Sequence, residues 1–326
     1  MTMGRVLVTG GAGFIGANLC ERLLTEGDDV VCLDNFTTST RSKIAHLERH
    51  PRFDLVIGDV RNPIRIDADR IYNLACPASP PKYQSDPIYT TETSVLGAIN
   101  VLEMARRTGA TVVQASTSEI YGEPTLTPQP ESYRGNVTTW GPRACYDEGK
   151  RCAEALFFDY RQKYGVDVRV ARIFNTYGPM MEPNDGRVVS NFIVQSLRGE
   201  PMTIYGDGSQ TRSLCFVSDL VDGLYRLARR AAPSTPVNLG NPNEMTVLEI
   251  ATTIASVVGL PLTISRQPLP TDDPTQRCPN TSLASDLLDW SPQVSLTEGL
   301  VATVSYFRTR LAGELNGGSP LAEAAE

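Results

Sequence analysis

Histidine is nearly missing from this chain: two in 326 residues, His46 and His50, both in the stretch IAHLERHP. That scarcity argues against a Ser-His-Asp hydrolase or a histidine-rich metal centre. The i,i+4 spacing of the pair reads as a solvated helix face, with no third ligand beside it. Acid–base work therefore falls to tyrosine, lysine, aspartate or glutamate. Positive charge is also short, the formal net charge being −7, which excludes a general attraction to nucleic acid or anionic membranes. Paired cysteines are absent. The seven, at 20, 32, 76, 145, 152, 215 and 278, form no CxxC and read as reduced thiols of a cytoplasmic protein rather than a disulfide frame. Cys145, with no histidine near it, reads as a packed thiol. No apolar run approaches the roughly 20 residues that span a bilayer, and MTMGRVLVTGG enters a strand too soon to leave room for a signal peptide.

What is there is an ordinary globular composition, 41% hydrophobic and 21% charged, long enough for one large domain or two closely joined ones. Near-continuous apolar runs suit strands covered on both faces: RVLVTG (5–10), DVVCLDN (29–35), FDLVIGDV (53–60), RIYNLAC (70–76), TVVQAST (111–117) and VDVRVARIFN (166–175). Helical patterns lie between them at 14–26, 90–108 and 146–164. This alternation predicts an α/β fold with a doubly wound parallel sheet of Rossmann type. After residue 178, Pro and Gly punctuate separate helices (RVVSNFIVQSLRG, SDLVDGLYRLARR, TVLEIATTIASVVG), which predicts a smaller mixed α/β substrate-binding region. No repeat of 20–50 residues is visible.

The stretch VTGGAGFIG joins the first strand to the first helix. Gly11, Gly13 and Gly16 match G-x-G-x-x-G, and Gly10, Gly13 and Gly16 also give G-x-x-G-x-x-G. Glycines let backbone approach a pyrophosphate, and the helix N-terminus adds amide donors and positive potential. Asp34 ends the next strand, placed to accept ribose hydroxyls and repel a 2′-phosphate, so NAD is expected rather than NADP. Asp59, at the end of the third strand, suits the adenine amino group. The strand-end and loop positions Phe14, Ile15, Asn35, Phe36, Thr37, Val60, Leu74 and Cys76 complete the expected cofactor site. The expected division is residues 1–177 with about 213–240 for NAD, 178–212 with about 241–312 for substrate, and a flexible tail at 313–326.

In GPRACYDEGKR, Tyr146 and Lys150 stand four apart, on one helical stripe with Ala153, Phe157, Tyr160 and Tyr164. The apolar stripe predicts that the pair packs inward. An ammonium and a positive nicotinamide ring both favour phenolate, so Tyr146 is the expected base. Thr117, Ser118 and Glu119, in QASTSEIYG, sit at the sheet's carboxyl edge, where ligands bind such folds.

These motifs, with DNFTT, CPASPP, RVARIFNTYGP, NDGRVVSNFI, YGDGSQTR and VNLGNP, resemble the extended short-chain dehydrogenase/reductase superfamily over residues 5 to 310. Within it the chain resembles the UDP-glucuronate decarboxylases. Related 4,6-dehydratases carry Thr-Asp-Glu where this chain has Thr117-Ser118-Glu119, which argues against dehydration. The resemblance implies oxidation of UDP-glucuronate at C4 by bound NAD with Tyr146 as base, assisted by Thr117 and Lys150. Loss of CO2 and return of hydride then give UDP-xylose. It ties Glu119 and Arg277 to the carboxylate. It assigns Asn175, Arg187, Tyr205, Gln210 and Arg212 to the UDP grip, and Thr93, Thr176 and Arg187 to cofactor contact. It also implies a homodimer through a four-helix interface of 90–108 and 146–164, with Leu156 and Phe158 on its exposed side. Two positions depart from the family pattern: Glu92 replaces a lysine, and Cys278 follows Arg277 where a lysine is usual. A UDP-sugar 4-epimerase, or another NAD-dependent sugar-nucleotide enzyme, is the alternative.

Overall fold

Seven parallel strands form the centre of the protein in the order β11-β6-β5-β4-β1-β2-β3. In this computed structural model, which describes residues 4–231, 233, 235–269 and 276–315, they are β1 (Arg5–Thr9), β2 (Asp29–Asp34), β3 (Phe53–Ile57), β4 (Arg70–Asn73), β5 (Thr111–Thr117), β6 (Val168–Ile173) and β11 (Val237–Leu239). Helices α1 (Phe14–Thr25) and α6 (Val217–Arg229) cover one face; α3 (Pro87–Thr108), preceded by the short α2 (Pro80–Ser85), and α4 (Ala144–Tyr164) cover the other. Val6, Leu7 and Val8 of β1 are all fully buried, as a strand with helices on both sides requires. The order reverses between β1 and β4, and this switch point opens the ligand crevice at the strands' carboxyl ends.

Beyond β7 (Thr176–Tyr177), the chain forms α5 (Val188–Leu197), β8 (Met202–Tyr205), β9 (Thr211–Ser213) and β10 (Cys215–Phe216). After β11 come β12 (Glu244–Thr246), α7 (Val247–Val258), β13 (Ile264–Gln267), α8 (Ser282–Leu288) and α9 (Leu296–Leu315). Short two-stranded pairs link β8 to β13, β9 to β12 and β7 to β10. Helices α5, α7 and α9 share a third apolar core around Phe192, Ile254 and Phe307.

Several expectations need correction. β3 stops at Ile57 and β4 at Asn73, because Gly58–Val60 and Leu74–Cys76 turn out into the crevice. β11 has three residues, too few to reveal a period. The tail does not begin at 313: α9 continues to Leu315, and residues 316–326 lie outside the described region. His46 and His50 sit in turns after a short 3₁₀ segment, Arg41–Lys43, not on an α-helix. The stripe of α4 is buried through Phe157, but Tyr164 is 46% exposed. Leu156 packs into the core beside α3, whereas Phe158 is exposed.

Candidate active site

The glycine turn is shaped by contacts that admit no side chain. Gly10 adopts φ 67°, and a Cβ on Gly16 would lie 2.1 Å from the Gly10 carbonyl oxygen. The turn can thus fold flat at the N-terminus of α1 and present its amides to a pyrophosphate. Asp34 locks it: one carboxylate oxygen accepts from Ala12 N at 2.9 Å, the other from Phe36 N and the Ser39 hydroxyl, each at 2.9 Å.

The crevice at this turn is lined by Gly10, Gly13, Asp34, Asn35, Thr37, Val60, Leu74, Cys76 and Thr93, all expected cofactor positions. Its walls also include Thr38, Pro77 and Tyr89, which the motifs did not single out. Phe14 and Ile15 instead pack into the apolar cores, and Gly16 lies beneath the turn. Phe36, at φ 58°, packs at the core's edge. Thr176 is buried, its hydroxyl donating to the Phe174 carbonyl at 2.9 Å. Asp59 is held by Arg61, whose Nη2 donates at 3.0 Å, and by Asn35 at 3.1 Å. Burial works against this carboxylate, but the Arg61 bonds outweigh it and hold its pKa below the usual value. Arg61 in turn bonds Glu92 at 2.7 Å and lies 4.3 Å over the Tyr89 ring. The glutamate that departs from the family pattern therefore forms a local ion pair.

Tyr146 and Lys150 both point inward, as the stripe requires; they are 7% and 4% exposed. Lys150 Nζ donates to the Ala115 carbonyl at 2.9 Å and lies 5.8 Å from the centre of the Tyr146 ring. The Tyr146 phenol is pushed well above the usual tyrosine value, first by burial and then by the neighbouring Cys76. A hydrogen bond with Thr117 and the charge of Arg187 pull the other way. The expected low phenol is thus not produced by these protein groups alone. Tyr83 stacks flat on Tyr146, with centroids 5.1 Å apart and planes 8° apart.

Beside this pair, Thr117 caps the turn that follows β5 by accepting from Glu119 N at 3.2 Å. Glu119 is gripped by Arg143 and by Arg277, whose Nη2 donates at 3.1 Å. Arg277 is 2% exposed and also donates to the Ser118 carbonyl. Burial opposes ionisation of Glu119, but the charges of Arg277, Arg143 and Arg212 together keep its pKa below the ordinary glutamate value. Asp147 is buried too, its Oδ1 unpartnered among the described residues; burial and Glu119 raise its pKa to about 7. Arg187 reaches across to the Ala78 carbonyl at 2.9 Å. Further out, Gln210 donates to the Tyr205 carbonyl at 2.7 Å, Tyr205 is 42% exposed, and Asn175 is half-buried at the end of the β6 segment.

Tyr83, Arg143, Asp147 and Arg61 were not foreseen. Arg143 and Asp147 lie within GPRACYDEGKR and Tyr83 just after CPASPP, so proximity to a specific motif was the available signal.

The model of the GDP-mannose 4,6 dehydratase family matches residues 7–303. UDP-glucuronic acid decarboxylase 1 of Arabidopsis thaliana is 50% identical over 313 residues, 96% of this chain and 72% of that protein. UDP-glucuronic acid decarboxylase 3 of the same plant is 50% identical over 308 residues, 94% of this chain and 90% of that protein. Among solved structures, a mutant UDP-glucuronic acid 4-epimerase from Bacillus cereus, in complex with NAD and UDP-4-deoxy-4-fluoro-glucuronic acid, superposes with a TM-score of 0.84. It is 27% identical, covering 94% of this chain and 99% of that one. With every second residue shared along nearly its whole length, the chain belongs to the UDP-glucuronic acid decarboxylase family.

Proposed function

We propose that this enzyme converts UDP-glucuronate to UDP-xylose and CO2 with bound NAD. The observation that carries this reading is the pairing of two arrangements: Tyr146, Lys150 and Thr117 behind the glycine turn, and Arg277 with Glu119 beside them. NAD, when bound, would supply a hydride acceptor at C4 and return the hydride later. Tyr146 takes the O4 proton, its phenolate favoured by the nicotinamide charge that the protein's own groups do not provide. Thr117 holds the phenol by its hydroxyl, and Lys150 adds positive charge near the ring. The substrate becomes a β-keto acid, whose carboxylate leaves as CO2 while the electron pair moves into the C4 carbonyl. Arg277 suits a bidentate grip on that carboxylate, with Glu119 restraining its guanidinium. A proton at C5 gives the 4-keto pentose, and Tyr146 then gives its proton back to O4 as C4 regains the hydride that NAD would hold, which completes UDP-xylose.

The sugar nucleotide is expected between the sheet's carboxyl edge and segments 178–212 and 241–312, with Arg187, Gln210 and Arg212 toward the pyrophosphate and Tyr205 toward uracil. Thr93, Thr176 and Arg187 belong to the cofactor side of the same proposal. A cytoplasmic homodimer through α3 and α4 fits the exposed Leu96; sedimentation as a monomer would contradict it. No described helix is long and apolar enough to cross a membrane.

Incubation with UDP-glucuronate and NAD is expected to release UDP-xylose and CO2. Accumulation of UDP-galacturonate instead would establish the epimerase alternative. Tyr146→Phe is expected to lower kcat by about 10³-fold or more while NAD still binds; full activity in that variant would remove Tyr146 as base.

A further inference from the structure

On the far side of α4 from the catalytic tyrosine, a second cavity of about 480 Å³ opens between α4, β6 and the loop 131–134, within the ~300–1,000 Å³ typical of small-molecule pockets. Its walls are basic although the chain is acidic: Arg134, Arg151, Arg161, Arg169 and Arg172 face it, against the carboxylates Glu131 and Glu154. Glu154 is taken up by Arg172, at 3.0 and 2.8 Å. Glu131 accepts from Asn238 N at 2.9 Å. Arg161 donates to a carbonyl, that of Pro233, at 2.6 Å; neither it nor Arg134 has an acidic partner among the described residues. Arg169 is 6% exposed. Its Nη1 and Nη2 bond Asp167 and the Arg230 carbonyl, and its Nε, sealed from solvent, has no partner among the described residues. Phe158, 59% exposed, lines the same cavity, so the residue expected at a dimer contact offers a flat apolar wall here.

We propose that this cavity is a second ligand site, separate from the NAD crevice, for an anion carrying a flat ring, of the nucleoside diphosphate class. Its phosphates sit between Arg134 and Arg161, where planar guanidinium groups match phosphate oxygens, and its ring lies against Phe158. The site abuts the catalytic segments. Arg151 follows Lys150 directly and donates to the Ile120 carbonyl at 2.9 Å. Glu154 accepts from the hydroxyl of Ser116, the residue before Thr117, at 2.5 Å. An occupant thus bears on the strand end that carries Thr117 and on the turn that carries Glu119, and it modulates turnover.

Equilibrium dialysis of the whole, NAD-saturated protein against UDP tests this, with the second equivalent read apart from the one at the proposed substrate site. The wild type is expected to take up two UDP per chain and Arg134→Glu/Arg161→Glu one, with basal turnover unchanged. Should the double variant not fold, Arg134→Glu alone, at an exposed position, is expected to weaken the second UDP about tenfold. Arg212→Ala removes the other UDP, so the two sites read out separately. A single UDP per chain in the wild type at millimolar UDP, or a second UDP bound as tightly by both variants, overturns the proposal.

Discussion

Tyr83 presses its ring flat against that of the proposed base, and aromatic pairs of this kind contribute about 0.5–1.5 kcal/mol beyond the area they bury. The stack holds Tyr146 in one rotamer, so Tyr83→Leu is expected to reduce kcat roughly tenfold with a smaller change in KM. Tyr83→Phe keeps the ring and is expected to retain most of the rate. Asp147 offers a test by pH. An unfolded aspartate releases its proton near about 3.9, whereas this buried one does so at about 7. The native chain therefore holds an extra proton between those values. Its contribution to stability is full below about 4 and is lost as pH rises toward about 7. Asp147→Asn removes this dependence: the unfolding free energy of the wild type relative to the variant should fall across that window. Urea titrations at several pH values measure it, and a flat difference would contradict the raised value.

At the scale of elements, the glycine turn and the caps carry the sharpest expectations. Gly16→Ala drives a methyl into the Gly10 carbonyl, 2.1 Å away, so the turn must open. Loss of NAD binding, measured by fluorescence or calorimetry, is expected with the secondary structure largely retained. Helix α7 begins with a capping box: Thr246 accepts from Glu249 N at 3.1 Å, and Glu249 accepts from Thr246 N at 2.8 Å. Thr246→Ala is expected to cost about 1 kcal/mol in chemical denaturation. The turn was legible because glycines, strand and helix are adjacent in sequence. The start of β11 was not: Val237–Leu239 is a strand through its pairing with β6, and three residues carry no period of their own.

In the molecule as a whole, Asp28 ties three elements at the amino-end side of the sheet. It is 2% exposed and accepts from Arg70 at 2.7 Å and from Arg229 of α6. Removing one member of a buried ionic set leaves the others uncompensated, so Asp28→Ala is expected to destabilise the protein by ~3–5 kcal/mol, read as a lower urea midpoint. The amino-acid sequence by itself determined the parallel sheet, the phosphate turn and the Tyr146–Lys150 pair, because each follows from a pattern within one segment: a near-continuous apolar run, a turn only glycine can make, or a period of 3.6. The tertiary structure alone decided that Arg277 closes on Glu119 from 158 positions away, that Tyr83 covers Tyr146, and that Arg61 answers Glu92. Contacts between distant segments leave no local pattern, and they exist only once the chain has packed.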